Sequence, residues 1–281
     1  MRQKREKLSI EFEIEYDEVD WKGGWIPKTV YKYRNWEDKN HRKIIENIAV
    51  WVPDVFDFND PFDCNLPISY DLLLDDEDIA EKFIRKLVVG NNDKFAGNIE
   101  IEVQKRLAEK KYKDSDFINK YKEQLLESNR KVNGVFSVTP INSNILMWSH
   151  YANSHKGFCI GFDSVKLFDY LGGGGLVAYE NNYPIISPID EREKQYRQQV
   201  LTKSFHWAYE VEYRLTTFQK NNVEIPIPPE AIVEVVFGAN MSIENKSKIK
   251  NILAQRLAHV KCFSAIPDKS CFKINIIPES F

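Results

Sequence analysis

Residues 76–131 read DEDIAEKFIRKLVVGNNDKFAGNIEIEVQKRLAEKKYKDSDFINKYKEQLLESNRK, and the fold class turns on how this stretch folds. Ile79, Phe83, Leu87 and Val88 recur at helical spacing. So do Ile99, Val103 and Leu107, and then Phe117, Ile118, Tyr121 and Leu125. Each set forms one apolar stripe on an otherwise Lys- and Glu-rich helix. Gly90 and the run Asn91-Asn92-Asp93 separate the first two stripes. The block predicts a helical insertion, about residues 71–131, between two β-rich halves.

Upstream of it, Leu8 to Tyr16 alternates apolar and polar residues, which predicts a half-buried strand. Trp21 to Pro27 holds two glycines and a proline and reads as a turn. Val30–Arg34 predicts an aromatic strand, Asp38–Asn47 a helix, Ala49–Val52 a strand, and Pro53–Asp63 a loop. Downstream, strands are expected at Val135–Thr139, Gly157–Phe162, Leu176–Tyr179, Val211–Thr217, Val233–Phe237, His259–Phe263 and Phe272–Ile277. Helices are expected at Ile145–Ala152, from an Asp163 cap through Leu171, at Glu191–Ser204, and around Ile249, Ile252, Leu253 and Leu257. Strands before and after a helical middle predict an α+β fold with central antiparallel or mixed sheets, not a doubly wound parallel sheet. One domain spans residues 1–281.

The 281 residues are 43% hydrophobic and 29% charged, which is ordinary globular composition. No run approaches the roughly 20 apolar residues of a membrane helix. Met1–Lys7 is charged but leads into alternating residues, so no signal peptide is read and the expected location is the cytoplasm. The formal net charge of −3 gives no strong nucleic-acid footprint. Cys64, Cys159, Cys262 and Cys271 form no C-x-x-C pair, and no His lies at zinc-finger spacing, so reduced thiols and no metal are expected.

Three stretches carry chemistry-bearing residues. Met147-Trp148-Ser149-His150-Tyr151-Ala152 followed by His155-Lys156-Gly157-Phe158 is dense in aromatic and hydrogen-bonding groups. Such a set can sandwich a flat heterocycle and bind sugar or phosphate; the plainer reading is a packed helix-to-strand corner. In Trp207-Ala208-Tyr209-Glu210-Val211-Glu212-Tyr213-Arg214, a strand would put Glu210, Glu212 and Arg214 on one face. They would either hold a polar ligand and stabilise a cationic transition state, or pair with each other at the surface. Phe58-Asn59-Asp60-Pro61-Phe62-Asp63 is either a capped turn or a loop closing over a site. Gly172–Gly175 lacks the Lys-Ser/Thr of a phosphate loop and reads as a linker or hairpin end, while the basic stretch Lys105–Lys113 reads as a solvated helix face.

Taken in order, Tyr31-Lys32-Tyr33-Arg34, Phe58-Asn59-Asp60-Pro61-Phe62-Asp63, Met147-Trp148-Ser149-His150-Tyr151, Lys156-Gly157-Phe158-Cys159-Ile160-Gly161-Phe162-Asp163, Trp207 to Arg214 and Phe237-Gly238-Ala239-Asn240-Met241-Ser242 resemble the bacterial domain-of-unknown-function 2971 family, over roughly residues 30 to 277. The family carries no assigned function. At the level of fold, the order is also similar to ADP-ribosyltransferases, with their split β core. That likeness implies NAD as substrate and a protein or RNA acceptor. It implies Glu212 as the acid residue beside the nicotinamide ribose, preceded by Glu210. It implies Lys32 or Arg34 at the first-strand place and Ser149 or Tyr151 framing the nicotinamide; Trp148 and His155, from the aromatic stretch, are further candidates for binding the cofactor. Lys32 departs from the histidine usual at that place. A bacterial toxin or anti-phage effector with an antitoxin or immunity partner fits this reading. The alternative is a non-catalytic nucleotide- or protein-binding module.

Overall fold

The computed structural model describes residues 16–55, 58–90, 98–130 and 133–279. Except for Tyr16, the strand read at Leu8–Tyr16 lies outside them, as does the Asn91–Asp93 separator. The first half runs β1 (Glu18–Trp21), β2 (Gly24–Pro27), β3 (Thr29–Arg34), α1 (Lys39–Glu46), β4 (Ala49–Val52), α2 (Leu72–Asp75), α3 (Glu77–Gly90), α4 (Ile99–Ala108) and α5 (Ser115–Arg130). Then follow β5 (Asn133–Val138), α6 (Ile145–Tyr151), β6 (Phe158–Asp163), α7 (Ser164–Leu171), β7 (Gly174–Leu176), β8 (Ala178–Glu180), α8 (Arg192–Val200) and β9 (Thr202–Ser204). After a 3₁₀ turn over Phe205–Glu210 come β10 (Tyr213–Phe218), β11 (Val223–Pro226), β12 (Ile232–Phe237), α9 (Ile243–Arg256), β13 (Lys261–Pro267) and β14 (Ile274–Pro278).

The architecture is mixed α+β. A five-stranded sheet has the order β14-β13-β12-β6-β3, with β12 and β13 parallel and the other pairs antiparallel. A three-stranded antiparallel sheet has the order β5-β10-β7. The two meet at one point. Tyr31 on β3 and Thr139, just past β5, exchange backbone hydrogen bonds of 2.7 and 3.0 Å. Below this junction Val30, Phe136, Phe158, Phe162, Leu215 and Phe237 pack with helix residues Ile45, Leu167 and Leu253 in one core. Burying each such side chain contributes about 1.5–3 kcal/mol.

The stretch read as an insertion is helical over its described residues, as its periodicity predicts, and has its own core: Phe83, Ile84, Leu87, Val103 and Ile118 close under Tyr70 and Leu73. Local caps set its ends. Asn98 accepts from the amides of Glu100 and Ile101, opening α4. Among the described residues no helix is long and apolar enough to cross a membrane.

Several readings change. Trp21–Pro27 is not a free turn. Lys22 and Gly23 adopt positive φ (52° and 80°) and join β1 to β2 as a two-residue hairpin. Gly174 and Gly175 are not a linker but strand β7, laid against β10. A Cβ on Gly174 would lie 1.7 Å from the Arg214 carbonyl oxygen, so only glycine permits that approach. The polar helix expected to reach Ser204 ends at Val200, and Thr202–Ser204 leaves as β9, pairing in parallel with β8.

Candidate active site

A cleft of about 580 Å³ opens where β3 and β5 part. Its walls come from β3 (Tyr31–Arg34), β5 (Val135, Ser137), the loop with Phe58, Asn59 and Asp63, one face of α6, and the segment from Lys203 to Glu212. Three of the stretches singled out in the sequence therefore meet there.

The approach to β10 is not an extended strand. Phe205–Glu210 coils as a 3₁₀ turn, and Val211 is left-handed (φ 45°) before β10 begins at Tyr213. A β-branched residue in that region costs about 1–3 kcal/mol and persists only where its surroundings hold it. Glu210, Glu212 and Arg214 still converge, but through this bend and not through period-two alternation. They are not a solvent-facing row either: Glu210 and Glu212 are each 4% exposed and Arg214 is fully buried.

All five donors of Arg214 are used. Its Nε and one terminal nitrogen grip Glu212 as a fork (2.8 Å to Oε1, 3.0 Å to Oε2). The same terminal nitrogen donates to Asp63 Oδ2 at 2.7 Å. The other donates to the Val200 carbonyl at 2.6 Å and to Cys64 Sγ at 3.2 Å. Lys203 Nζ donates to Glu210 Oε2 (2.6 Å) and Glu212 Oε2 (3.1 Å) and stands 3.5 Å from Asp63 Oδ2. The Tyr151 hydroxyl donates to Glu210 Oε1 at 2.6 Å. Three carboxylates thus share two cations in a place nearly closed to water.

The two glutamates differ electrostatically. Burial pushes the Glu212 carboxyl up, but the Arg214 guanidinium and then Lys203 overcome it and hold it well below the usual carboxylate range. Glu210 lacks the guanidinium. Burial dominates there, Lys203 only partly offsets it, and its carboxyl sits above the ordinary glutamate value. Burial opposes the charge of Lys203, yet Glu212, Glu210 and Asp63 keep its ammonium pushed up.

Across the cleft, Lys32 donates to the Ser137 carbonyl and lies over the Phe136 ring, 5.1 Å from its centroid. Burial and the neighbouring Arg34 push its amine well below the usual lysine range. Burial lowers Arg34 to about 10. Its guanidinium has no ion-pair partner among the described residues. His41, at the same end, accepts from the Asn35 amide at Nδ1 (3.1 Å), and burial with Arg34 pushes it down to about 4, so it is neutral at pH 7.

The expected site residues divide. Lys32, Arg34, Tyr151, Glu210 and Glu212 line the cleft; Trp148, Ser149 and His155 do not. Helix geometry explains the split. Met147 and Tyr151, four apart on α6, share the face toward the cleft, and Trp148 is turned about 100° away. Trp148 is fully buried, with Nε1 on the Asn142 carbonyl (2.8 Å) and its ring edge-on to Tyr33. His155 stacks on Trp148 at 6.2 Å and meets Ser149 Oγ through Nε2 at 3.2 Å. That part of the motif is the packed corner.

Asp63 and Lys203 were missed as site residues. Asp63 stood in the 58–63 loop, where Asp60 is the residue that caps the turn. Its Oδ1 caps the Phe62 amide and its Oδ2 receives Trp207 Nε1 at 2.8 Å. Lys203 carried no signal beyond lying within ten residues of two glutamates. Among the described residues no group of three or more His, Cys, Asp or Glu is arranged to hold a metal.

A family described as a protein of unknown function (DUF2971) has a model that matches residues 147–215. The segment is similar to that family, and it contains Tyr151, Lys203, Glu210, Glu212 and Arg214, while Lys32, Arg34 and Asp63 lie outside it. The likeness read from the motifs extended further, from about residue 30 to 277. No curated protein and no solved structure matches the chain.

Proposed function

We propose that this cleft binds NAD and breaks the bond between nicotinamide and ribose, passing ADP-ribose to a macromolecular acceptor. What carries the reading is one observation: Lys32 and Arg34 share a single cleft with Tyr151 and the paired Glu210 and Glu212. The Arg34 guanidinium suits the pyrophosphate, Lys32 can donate a hydrogen bond beside it, and a carboxylate suits the sugar cation that forms as nicotinamide leaves. The two-sheet junction is the place a split β core would put such a cleft, which is support by analogy.

Within this reading Glu210 takes the role first expected of Glu212. Both Glu212 oxygens are occupied by Arg214 and Lys203, so its charge is answered inside the protein. Glu210 meets one ammonium and one phenol, and its raised carboxyl suits it to accept the proton the acceptor gives up. Nicotinamide departs neutral and needs no proton. Glu212 then acts as a positioning residue that sets Lys203 and Arg214 behind Glu210.

The test is nicotinamide release from NAD by the purified chain, with and without protein or RNA as acceptor. Release that falls about 10²–10³-fold in Glu210→Gln supports the reading. NAD that binds without being cleaved leaves the non-catalytic nucleotide-binding module, a reading favoured by the full internal neutralisation of Glu212. A toxin or anti-phage role, with an antitoxin or immunity partner, belongs to the same proposal and needs growth arrest that Glu210→Gln abolishes.

A further inference from the structure

A second cavity of about 670 Å³ opens on the helical insertion, walled by α3, α4, α5 and the first residue of α8. Four cationic side chains line it (Lys86, Arg106, Lys120 and Arg192), and among the described residues its wall contains no Asp or Glu. In a molecule with a net charge of −3, such a gathering is a local feature and not a reflection of overall charge.

Protein groups answer only part of it. Arg106 Nε is held by Glu102 Oε1 at 2.7 Å. Lys86 Nζ donates to the carbonyls of Pro188 and Asp190, which are dipoles and not charges. Burial lowers its amine below the ordinary lysine value; Glu191 raises it, Arg192 lowers it and Asp190 raises it. The Asp190 carboxylate is already engaged by Lys194 at 2.7 Å. Lys120 and Arg192 have no ion-pair partner among the described residues. Like charges converging on a concave surface repel one another, and a bound anion relieves that repulsion.

The same wall carries the half-buried rings of Phe117 and Tyr121 and the amide of Gln124. Tyr121 is fixed edge-on against Phe83, with centroids 5.4 Å apart. Rings beside a cationic lining match a ligand with a flat heterocycle at one end and several phosphates at the other. The size of the cavity fits a compact polyanion. We propose that this cavity is a binding site for a nucleoside polyphosphate, separate from the cleft and not dependent on the reaction assigned there.

Calorimetric titration of the full chain tests it, with ATP, AMP, inorganic tripolyphosphate and a short single-stranded RNA as probes, at low and high salt. Lys120 and Arg192 are exposed, so Lys120→Glu combined with Arg192→Glu should fold, which a thermal melt checks. ATP is expected to bind, more weakly as salt rises, and at least about tenfold more weakly in the double variant. AMP and tripolyphosphate should each bind more weakly than ATP, because each lacks one of the two recognised parts. Glu210→Gln, in the cleft, should leave ATP binding unchanged whether or not NAD is a substrate. Absence of ATP binding overturns the proposal, as does ATP affinity unaltered by the double substitution. Tripolyphosphate binding as tightly as ATP removes the role of the rings and overturns the nucleoside assignment. RNA that binds more tightly than ATP and is lost in the double variant makes this an extended nucleic-acid surface instead.

Discussion

The core and the helical insertion both carry many ion pairs, and they use them in opposite ways. Around the cleft, Arg214 and Lys203 hold Asp63, Glu210 and Glu212 out of water, every Arg214 donor satisfied. On the insertion, Arg85 bridges Glu81 and Glu100, and Arg106 pairs with Glu102, on solvated helix faces one turn or one helix apart. Charges in water are cheap to hold and gain little by pairing. Charges taken out of water are costly, and each depends on its partners. The insertion is therefore held by its apolar stripes, whereas the cleft is held by a network centred on Arg214 and Glu212, which fails when either is removed.

The sharpest way to break this contrast is Arg214→Met. It leaves Glu212 and Asp63 buried without their main cation and should cost about 3–5 kcal/mol in urea unfolding. A loss no greater than that of a surface substitution ends the idea of an interdependent network. Next in size is a split between the two glutamates. Glu212→Gln should lower the unfolding midpoint and nicotinamide release together. Glu210→Gln should lower release about 10²–10³-fold with a far smaller change in midpoint. Equal melting behaviour would erase the distinction drawn here.

Acid should act on the cleft selectively. Glu212 sits below its ordinary value of 4.5 in the folded chain, so its contribution is complete above that value. It is lost progressively as pH falls through the depressed folded value. The stability of Glu212→Gln should then fall less steeply below pH 5 than that of the parent. A smaller effect is expected of Tyr151→Phe. The phenol lowers the Glu210 carboxyl by hydrogen bonding, so its removal should shift the pH–rate profile upward while the plateau persists. A downward shift would contradict the assignment of Glu210 as base. Smallest of all, Arg85→Ala on the insertion should leave thermal melting unchanged.

Much of the framework was legible from local pattern. The stripes of 79–125 became α3, α4 and α5, and Asp163 caps α7 by accepting from the Lys166 amide. Tyr151, Glu210, Glu212, Lys32 and Arg34 were singled out and do line one cleft. Trp148, Ser149 and His155 were grouped with them because proximity along the chain does not say which helix face points where. Lys203 was passed over because its role lies in carboxylates brought to it by a turn and by the 58–63 loop. The bend at Val211 left no mark, since a valine in the left-handed region runs against its own local preference.

The sequence by itself determined the helical character of the 79–125 stretch, the α+β character and the ends of several elements, because hydrophobic periodicity and capping act within a few residues. Only the tertiary structure decided that Glu212 is answered by a guanidinium and an ammonium while Glu210 meets one ammonium and a phenol, and that Asp63, some 150 positions from Arg214, joins them. Electrostatic energy depends on distance and exclusion of water, and neither can be read along a chain before it has folded.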